Sequence, residues 1–158
     1  MPDCSIVHKQ WGELTTSELY SFIKLRTDVF LVEQKVDEEE LDNRDQDAEH
    51  FYIADAIGTA AYLRVLFDVS PEHLDAHHVV GRVVVRADRR GEGLAGALLD
   101  RVLSLYGDQA MLLHAQEYVA PLYAKAGFEA FGEPYGEAGI VHISMYRAAA
   151  PSDQARLT

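Results

Sequence analysis

Only one cysteine, Cys4, occurs in the 158 residues. No internal disulfide can form, and cysteine alone cannot assemble a thiolate metal site. Cys4 is expected to be a small buried apolar residue. No apolar run approaches the roughly 18 residues that a bilayer crossing needs. The first residues, MPDCSIVHKQWGEL, lack the basic stretch and following apolar run of an export signal, so the expectation is a cytoplasmic protein with no membrane partner. Positive charge is also scarce. Fourteen Lys and Arg stand against 26 Asp and Glu, for a net charge of −12, which repels a phosphate backbone and argues against nucleic acid as a partner. No repeat, low-complexity linker or composition break divides the chain. Residues 1–148 are therefore read as a single domain and 149–158 as a flexible tail.

What is present suits a folded core. Hydrophobic residues make up 48% of the chain and charged residues 25%, and a chain of this length buries roughly two thirds of its unfolded surface. A first strand is expected over residues 5–10. Thr15 and Glu18 then form a capping box flanked by a Leu14/Leu19 staple. Leu19, Phe22, Ile23, Arg26 and Phe30 recur at helical spacing, predicting a helix to about Phe30. Residues 51–57 and 59–67, separated by Gly58, read as a β-hairpin. After a polar connection over 68–78, VVGRVVVR is the strongest strand pattern and is expected to lie centrally. Leu94, Leu98, Val102 and Leu105 predict an amphipathic helix beginning near Gly93. A short strand follows over 110–114, then a helix marked by Val119, Leu122, Tyr123 and Ala126 and closed by Gly127. Two last strands are expected near 128–133 and 140–146. The order is that of a mixed sheet with helices packed against it.

The charge excess concentrates in DEEELDNRDQDAE, residues 37–49, with eight carboxylates and one arginine. A solvated loop is the plain reading, and a negative rim that draws in a cationic amine is the functional one. Arg64 and Arg82, on neighbouring strand patterns, are expected to pair with this loop; the alternative is a clamp on an acceptor carboxylate. His73, His77 and His78 share a loop without an acid at ligand spacing, so no metal is expected.

Between the strongest strand and the following helix lies Arg89-Arg90-Gly91-Glu92-Gly93-Leu94-Ala95-Gly96. Unpaired N–H groups and the helix dipole favour an anion there. Glycines let the backbone approach it, and two arginines add positive charge. A phosphate-bearing ligand fits better than a simple tight turn. Residues 91–96 also satisfy G-x-G-x-x-G, with Glu117 about twenty residues on where a nicotinamide ribose needs its acid. That fingerprint, however, sets its first glycine directly after the strand and needs further parallel βα units, which the two closing strands deny. The Gly-Lys-Ser/Thr ending of a kinase P-loop is absent.

Arg90-Gly91-Glu92-Gly93-Leu94-Ala95 resembles the Gln/Arg-x-x-Gly-x-Gly/Ala signature of the GNAT acyl-CoA N-acyltransferases, and Pro121-Leu122-Tyr123-Ala124-Lys125-Ala126-Gly127-Phe128 resembles that family's second motif. ELYSFIKLRTDVFLVEQ, AYLRV, VGRVVV, AQEYVAPLYAKAGF and GEPYGEAGIVHISMYR are similar to blocks of its ElaA-like branch. The chain departs at Ala95, which the signature permits, and at Glu117, where a histidine commonly follows AQ. The resemblance implies an α+β (mixed α/β) fold, with a mostly antiparallel sheet flanked by helices and splayed between its central strands. It also implies acetyl-CoA as cofactor. Backbone groups of Val83, Val84 and Val85 then pair with the pantetheine arm, while Arg90, Gly91, Glu92, Gly93, Leu94, Ala95 and Gly96 form the pyrophosphate site beside Tyr123.

Acyl transfer to an amine needs a neutral nucleophile, a held oxyanion and a proton for the thiolate. Deprotonating a lysine-like amine of pKa about 10.4 at neutral pH costs roughly 4–5 kcal/mol. Glu33, Glu117 and His142 are candidate bases, alongside a water relay. Tyr123, with a phenol pKa of about 10, is the candidate general acid, and a strand N–H from Val83, Val84 or Val85 is the candidate oxyanion donor. The expected activity is transfer of an acetyl or short acyl group from CoA to a small-molecule or lysine-like primary amine by direct attack in a ternary complex. A catalytically silent acyl-CoA-binding or interaction module of the same fold is the alternative. Either a monomer or a homodimer paired through strand edges fits.

Overall fold

The computed structural model describes residues 5–150; Cys4 and residues 151–158 of the expected tail lie outside the described residues. Ala150, within the expected tail, still donates its N–H to the Gly107 carbonyl at 3.0 Å.

Strand β1 (Ile6–Gln10) leads through a short 3-10 turn into α1 (Thr16–Arg26). The capping box forms as its spacing predicts: Glu18 N–H donates to Thr15 Oγ1 at 3.1 Å, and Thr15 N–H donates to Glu18 Oε1 at 2.8 Å. Lys9 and the Tyr52 hydroxyl also donate to the Glu18 carboxylate, and with the cap they lower its pKa to about 2. The apolar stripe of α1 is buried through Phe22, Leu25 and Val29. The helix does not simply run on to Phe30. From Thr27 to Glu33 it widens into a π-helix, a rare geometry that is frequent at functional sites.

Strands β2 (Glu49–Ala54) and β3 (Thr59–Phe67) form the expected hairpin, and β4 (His78–Val85) follows the polar connection. Next come α2 (Leu94–Tyr106), β5 (Met111–Gln116), α3 (Ala120–Lys125), β6 (Glu129–Glu137) and β7 (Ile140–Arg147). The strand order is β1-β2-β3-β4-β5-β7-β6, which puts β4 in the middle. The pairs β1–β2, β2–β3, β5–β7 and β7–β6 are antiparallel, whereas β4–β5 is parallel. The antiparallel pairs on both sides of the sheet, with the closing β6–β7 hairpin, remove the dinucleotide fold that the glycine spacing offered. The parallel pairing joins His78, Val79 and Val80 to Met111, Leu112 and Leu113.

Two compact groups emerge, one of residues up to Leu66 with Gly81–Leu98 and the other of Phe67–Val80 with residues from Leu99 onward. In the first, Phe22, Leu25 and Val29 pack with Tyr52, Tyr62 and Val84. In the second, Ala76, Ala110 and Leu112 pack with Val79, Phe131 and Tyr146. The α2 stripe needs one correction. Leu94, Leu98 and Val102 are buried as expected, but Leu105 is 46% exposed and Leu99 takes the buried place.

The acidic loop is not simply solvated. Glu40 and Asp45 are buried, and so are Arg26 and Arg64. Arg26 donates through Nε to Glu40 Oε2 and through Nη1 to Asp45 Oδ1, both at 2.7 Å. Arg64 bridges Asp42 at 2.5 Å and Asp45 at 3.0 Å. Arg82 closes the set on Glu40 Oε2 at 2.8 Å and on the Glu40 carbonyl at 3.1 Å. The pairing of Arg64 and Arg82 with the loop is thus present. Arg82 also has φ +54° inside β4. A side chain in that left-handed region costs about 1–2 kcal/mol, and three hydrogen bonds to the loop hold it there.

Glu40→Gln should destabilise the fold by about 3–5 kcal/mol in denaturant unfolding, because it leaves buried guanidinium charge uncompensated. Acid should act in two stages. Burial, opposed by Asp45 and helped by Arg26 and Arg64, lowers the pKa of His50, so its contribution is present above about pH 6.5 and lost as pH falls and unfolded chains take up a proton. For Asp45, burial opposes ionisation, but Arg26 and Arg64 prevail and hold it below the usual range. Its stabilisation is present above about pH 4 and lost below it. Melting temperature should therefore decline gently from about pH 6.5 and steeply below about pH 4; a profile flat to pH 3 contradicts this assignment.

Candidate functional site: a glycine turn and a buried tyrosine

The chain leaves β4 at Val85, makes a 3-10 turn over Ala87–Arg89 and enters α2 at Leu94. Gly91 and Gly93 lie at φ +82° and +79°, with open space where a Cβ would stand. Conformation rather than crowding therefore requires glycine here. The Gly93 carbonyl accepts the first helical bond, from Ala97 N–H at 3.0 Å. Leu94 is buried and fixes the helix start. As at any helix start, the N–H groups of the first turn have no intrahelical acceptor.

The arginines beside this turn are already paired, which corrects the expectation that they add free positive charge. Arg86 binds Asp55 at 2.5 Å and Asp88 at 2.6 Å; Arg89 binds Asp55 at 2.7 Å and Glu92 at 2.9 Å. Arg90 donates both terminal nitrogens to the Glu33 carboxylate, at 2.8 and 2.9 Å, and Nε to the Val85 carbonyl at 3.2 Å. Three guanidiniums thus face four carboxylates, Glu33, Asp55, Asp88 and Glu92. Beside those pairs, backbone amides and the helix dipole are what the turn itself offers an anion. Of the three valines, Val84 is buried in the first core, while Val83 and Val85 are half-buried.

Tyr123 lies in the other group, on the short helix α3. Its side chain is buried (6% exposed), with its ring edge-on to Phe128 at 6.2 Å. Gly127, at φ +96°, ends the segment, and the Tyr123 carbonyl accepts from Ala126 and Phe128 N–H. Burial, helped by Tyr118, pushes its phenol up to about 12. The proton is therefore held more tightly than the ordinary phenol value suggests.

The candidate bases differ in surroundings. Glu33, exposed at the end of the π-helix, has its pKa lowered by the Arg90 hydrogen bonds, so it is a weaker base than a free carboxylate. Glu117 is exposed in the 3-10 turn after β5. His142 on β7 donates Nδ1–H to the Ile140 carbonyl at 2.9 Å, stacks on Tyr135 at 5.7 Å and keeps Nε2 3.9 Å from Glu137. One polar chain escaped sequence reasoning. His114 on β5 has Nδ1 3.0 Å from Ser144 Oγ and Nε2 2.8 Å from Glu72. Its sequence signal was a lone histidine inside the apolar run Met-Leu-Leu-His-Ala of β5.

The histidines expected on the loop stack on aromatic rings. His73 stacks on Phe131 at 3.7 Å, His77 on Phe67 at 5.3 Å, and His78, inside β4, on Tyr106 at 4.7 Å. No metal-holding cluster is found among the described residues, and none of their helices is long and apolar enough to cross a membrane.

Comparison with known proteins now adds to this geometry. The model of an acetyltransferase (GNAT) domain matches residues 26–148. An acyl-CoA N-acyltransferase of Pseudomonas aeruginosa is 38% identical, with a TM-score of 0.81 over 91% of this chain and 99% of that one. Protein ElaA of Escherichia coli is 34% identical over 86% of this chain and 91% of its own length. The ElaA crystal structure aligns at a TM-score of 0.80 over 90% of this chain and 98% of that one. A UPF0039 protein of Schizosaccharomyces pombe is 34% identical over 92% and 97% of the two chains. The family match over residues 26–148, which spans the glycine turn entering α2, and the ElaA relatives place the chain in the GNAT acetyltransferase family, in its ElaA-like group.

Proposed function

We propose that the protein transfers an acetyl or short acyl group from CoA to a primary amine by direct attack in a ternary complex, with residues 1–148 working as one domain. The observation that carries the reading is the pair of left-handed glycines, Gly91 and Gly93, at the start of α2. First-turn amides there have no intrahelical acceptor and favour an anion, in a region whose arginines already have carboxylate partners. In this reading Gly91, Glu92, Gly93, Leu94, Ala95 and Gly96 take the pyrophosphate through backbone N–H. Val83, Val84 and Val85 pair with the pantetheine arm, and one of their amides stabilises the oxyanion.

Tyr123 assists the departing thiolate. A thiol of pKa about 8.5 is far more acidic than a phenol near 12. The phenol therefore stabilises the thiolate as a hydrogen-bond donor, and the proton that finally settles on sulfur comes from the amine. The base that removes the amine proton is Glu117, His142 or a water relay. Glu40, Asp42 and Asp45 are committed to arginines, while Asp37, Glu39 and Asp47 are exposed on the acidic loop. With the net charge of −12, these favour a cationic acceptor such as a polyamine or lysine-like amine by electrostatic steering.

Titration calorimetry with acetyl-CoA tests the cofactor. Gly93→Asp and Gly93→Asn share the left-handed strain, so their difference isolates charge. The aspartate should bind about five- to thirtyfold more weakly than the asparagine; equal affinities contradict an anion at this turn. Tyr123→Phe should lower kcat by about a hundredfold with acetyl-CoA affinity kept. The wild-type kcat profile should show no alkaline limb from this phenol below about pH 11. A wild type that binds acetyl-CoA but yields no product across a broad amine panel indicates the silent binding module instead.

A further inference from the structure

We propose that Glu33 competes with cofactor phosphate for the Arg90 fork: its carboxylate pairs with both terminal nitrogens and yields them to a pyrophosphate oxygen pair on binding. Glu33 thereby sets cofactor affinity instead of acting as the amine's base. The inference rests on the acyl-CoA reading given above.

The two terminal nitrogens of Arg90 meet the two Glu33 oxygens at 2.8 and 2.9 Å. A phosphate presents an equivalent pair of oxygens to the same planar fork. Nε is anchored separately, on the Val85 carbonyl at 3.2 Å, so the partner of the fork can change while the arm keeps its direction.

Exchange suits this pair and not its neighbours. Arg90 is 42% exposed, against 18% for Arg86 and 22% for Arg89, and those two are tied together through Asp55. Water can solvate Glu33 as it leaves, whereas the carboxylates around Arg26 are buried. Glu33 also closes the π-helical segment, in which Gln34 N–H reaches back to the Val29 carbonyl at 2.8 Å. That register brings the end of the segment to the glycine turn, so cofactor occupancy and the end of α1's extension report on each other through one guanidinium.

The test is a double-mutant cycle in CoA affinity, measured calorimetrically on wild type, Glu33→Gln, Arg90→Gln and the double variant. Glu33→Gln should tighten CoA binding about two- to fivefold, and the gain should disappear in the Arg90→Gln background, where displacement titration against millimolar CoA keeps weak binding measurable. An equal gain in both backgrounds would mean simple charge repulsion and would overturn the proposal, as would no gain in a wild type that binds CoA. In the transfer assay, Glu33→Gln should lower the KM for acetyl-CoA; a fall in kcat of about a hundredfold would mark Glu33 as the base and also overturn it. A wild type that does not bind CoA would instead remove the acyl-CoA reading itself, and this inference with it.

Discussion

Three guanidiniums and three carboxylates taken largely out of water hold the first half of the protein together. Arg26 comes from α1, Arg64 from β3 and Arg82 from β4, while Glu40, Asp42 and Asp45 all come from one irregular loop. Such a set gains little net stability, since replacing it with apolar residues of the same volume is often neutral or favourable, but breaking any single link is costly. What it fixes is position. The loop is bound to three separate elements at once, and Arg82, which carries the irregular backbone in β4, is gripped by the same carboxylate that binds Arg26. The run Val83, Val84 and Val85 therefore starts from a defined point, and the turn that follows it inherits that placement.

The glycine turn works on a different electrical principle. Around it every arginine has a carboxylate partner, and the balance of charge is slightly negative. An anion is favoured there by preorganised amides, whose dipoles are fixed by φ +82° at Gly91 and +79° at Gly93 and by the burial of Leu94. Those dipoles cost no reorganisation when a ligand arrives. In its own group, burial helped by Tyr118 raises the Tyr123 phenol to about 12, further above physiological pH than an ordinary phenol already stands.

Much of this was legible in the chain. All seven strands and three helices lie where alternation, helical spacing, the Thr15/Glu18 box and the glycines at positions 58 and 127 put them. The errors have physical causes. Residues 132–136, Gly-Glu-Pro-Tyr-Gly, look like a break, yet β6 continues to Glu137 because a register shift between Phe131 and Tyr135 absorbs them and an edge strand tolerates proline. Leu105 has helical spacing but sits where α2 leaves the core, and periodicity carries no information about where a helix loses its neighbours. The π-helix has no signature in the residues that form it. Burial of Glu40 and Asp45 was invisible for a related reason: a carboxylate run reads as solvated unless the arginines that will meet it, far away in sequence, are already placed. Pairing of Arg90 with Glu33, across 57 positions, belongs to the same class of fact.

The central claim is that the turn from β4 into α2 is the cofactor's anion site, and amide resonances report on it most directly. In a titration of isotope-labelled protein with acetyl-CoA, the amides of Gly91, Gly93, Leu94, Ala95 and Gly96 should show the largest shifts, accompanied by those of Val83, Val84 and Val85. Saturable shifts confined to other parts of the chain, or none at millimolar acetyl-CoA, would contradict the account.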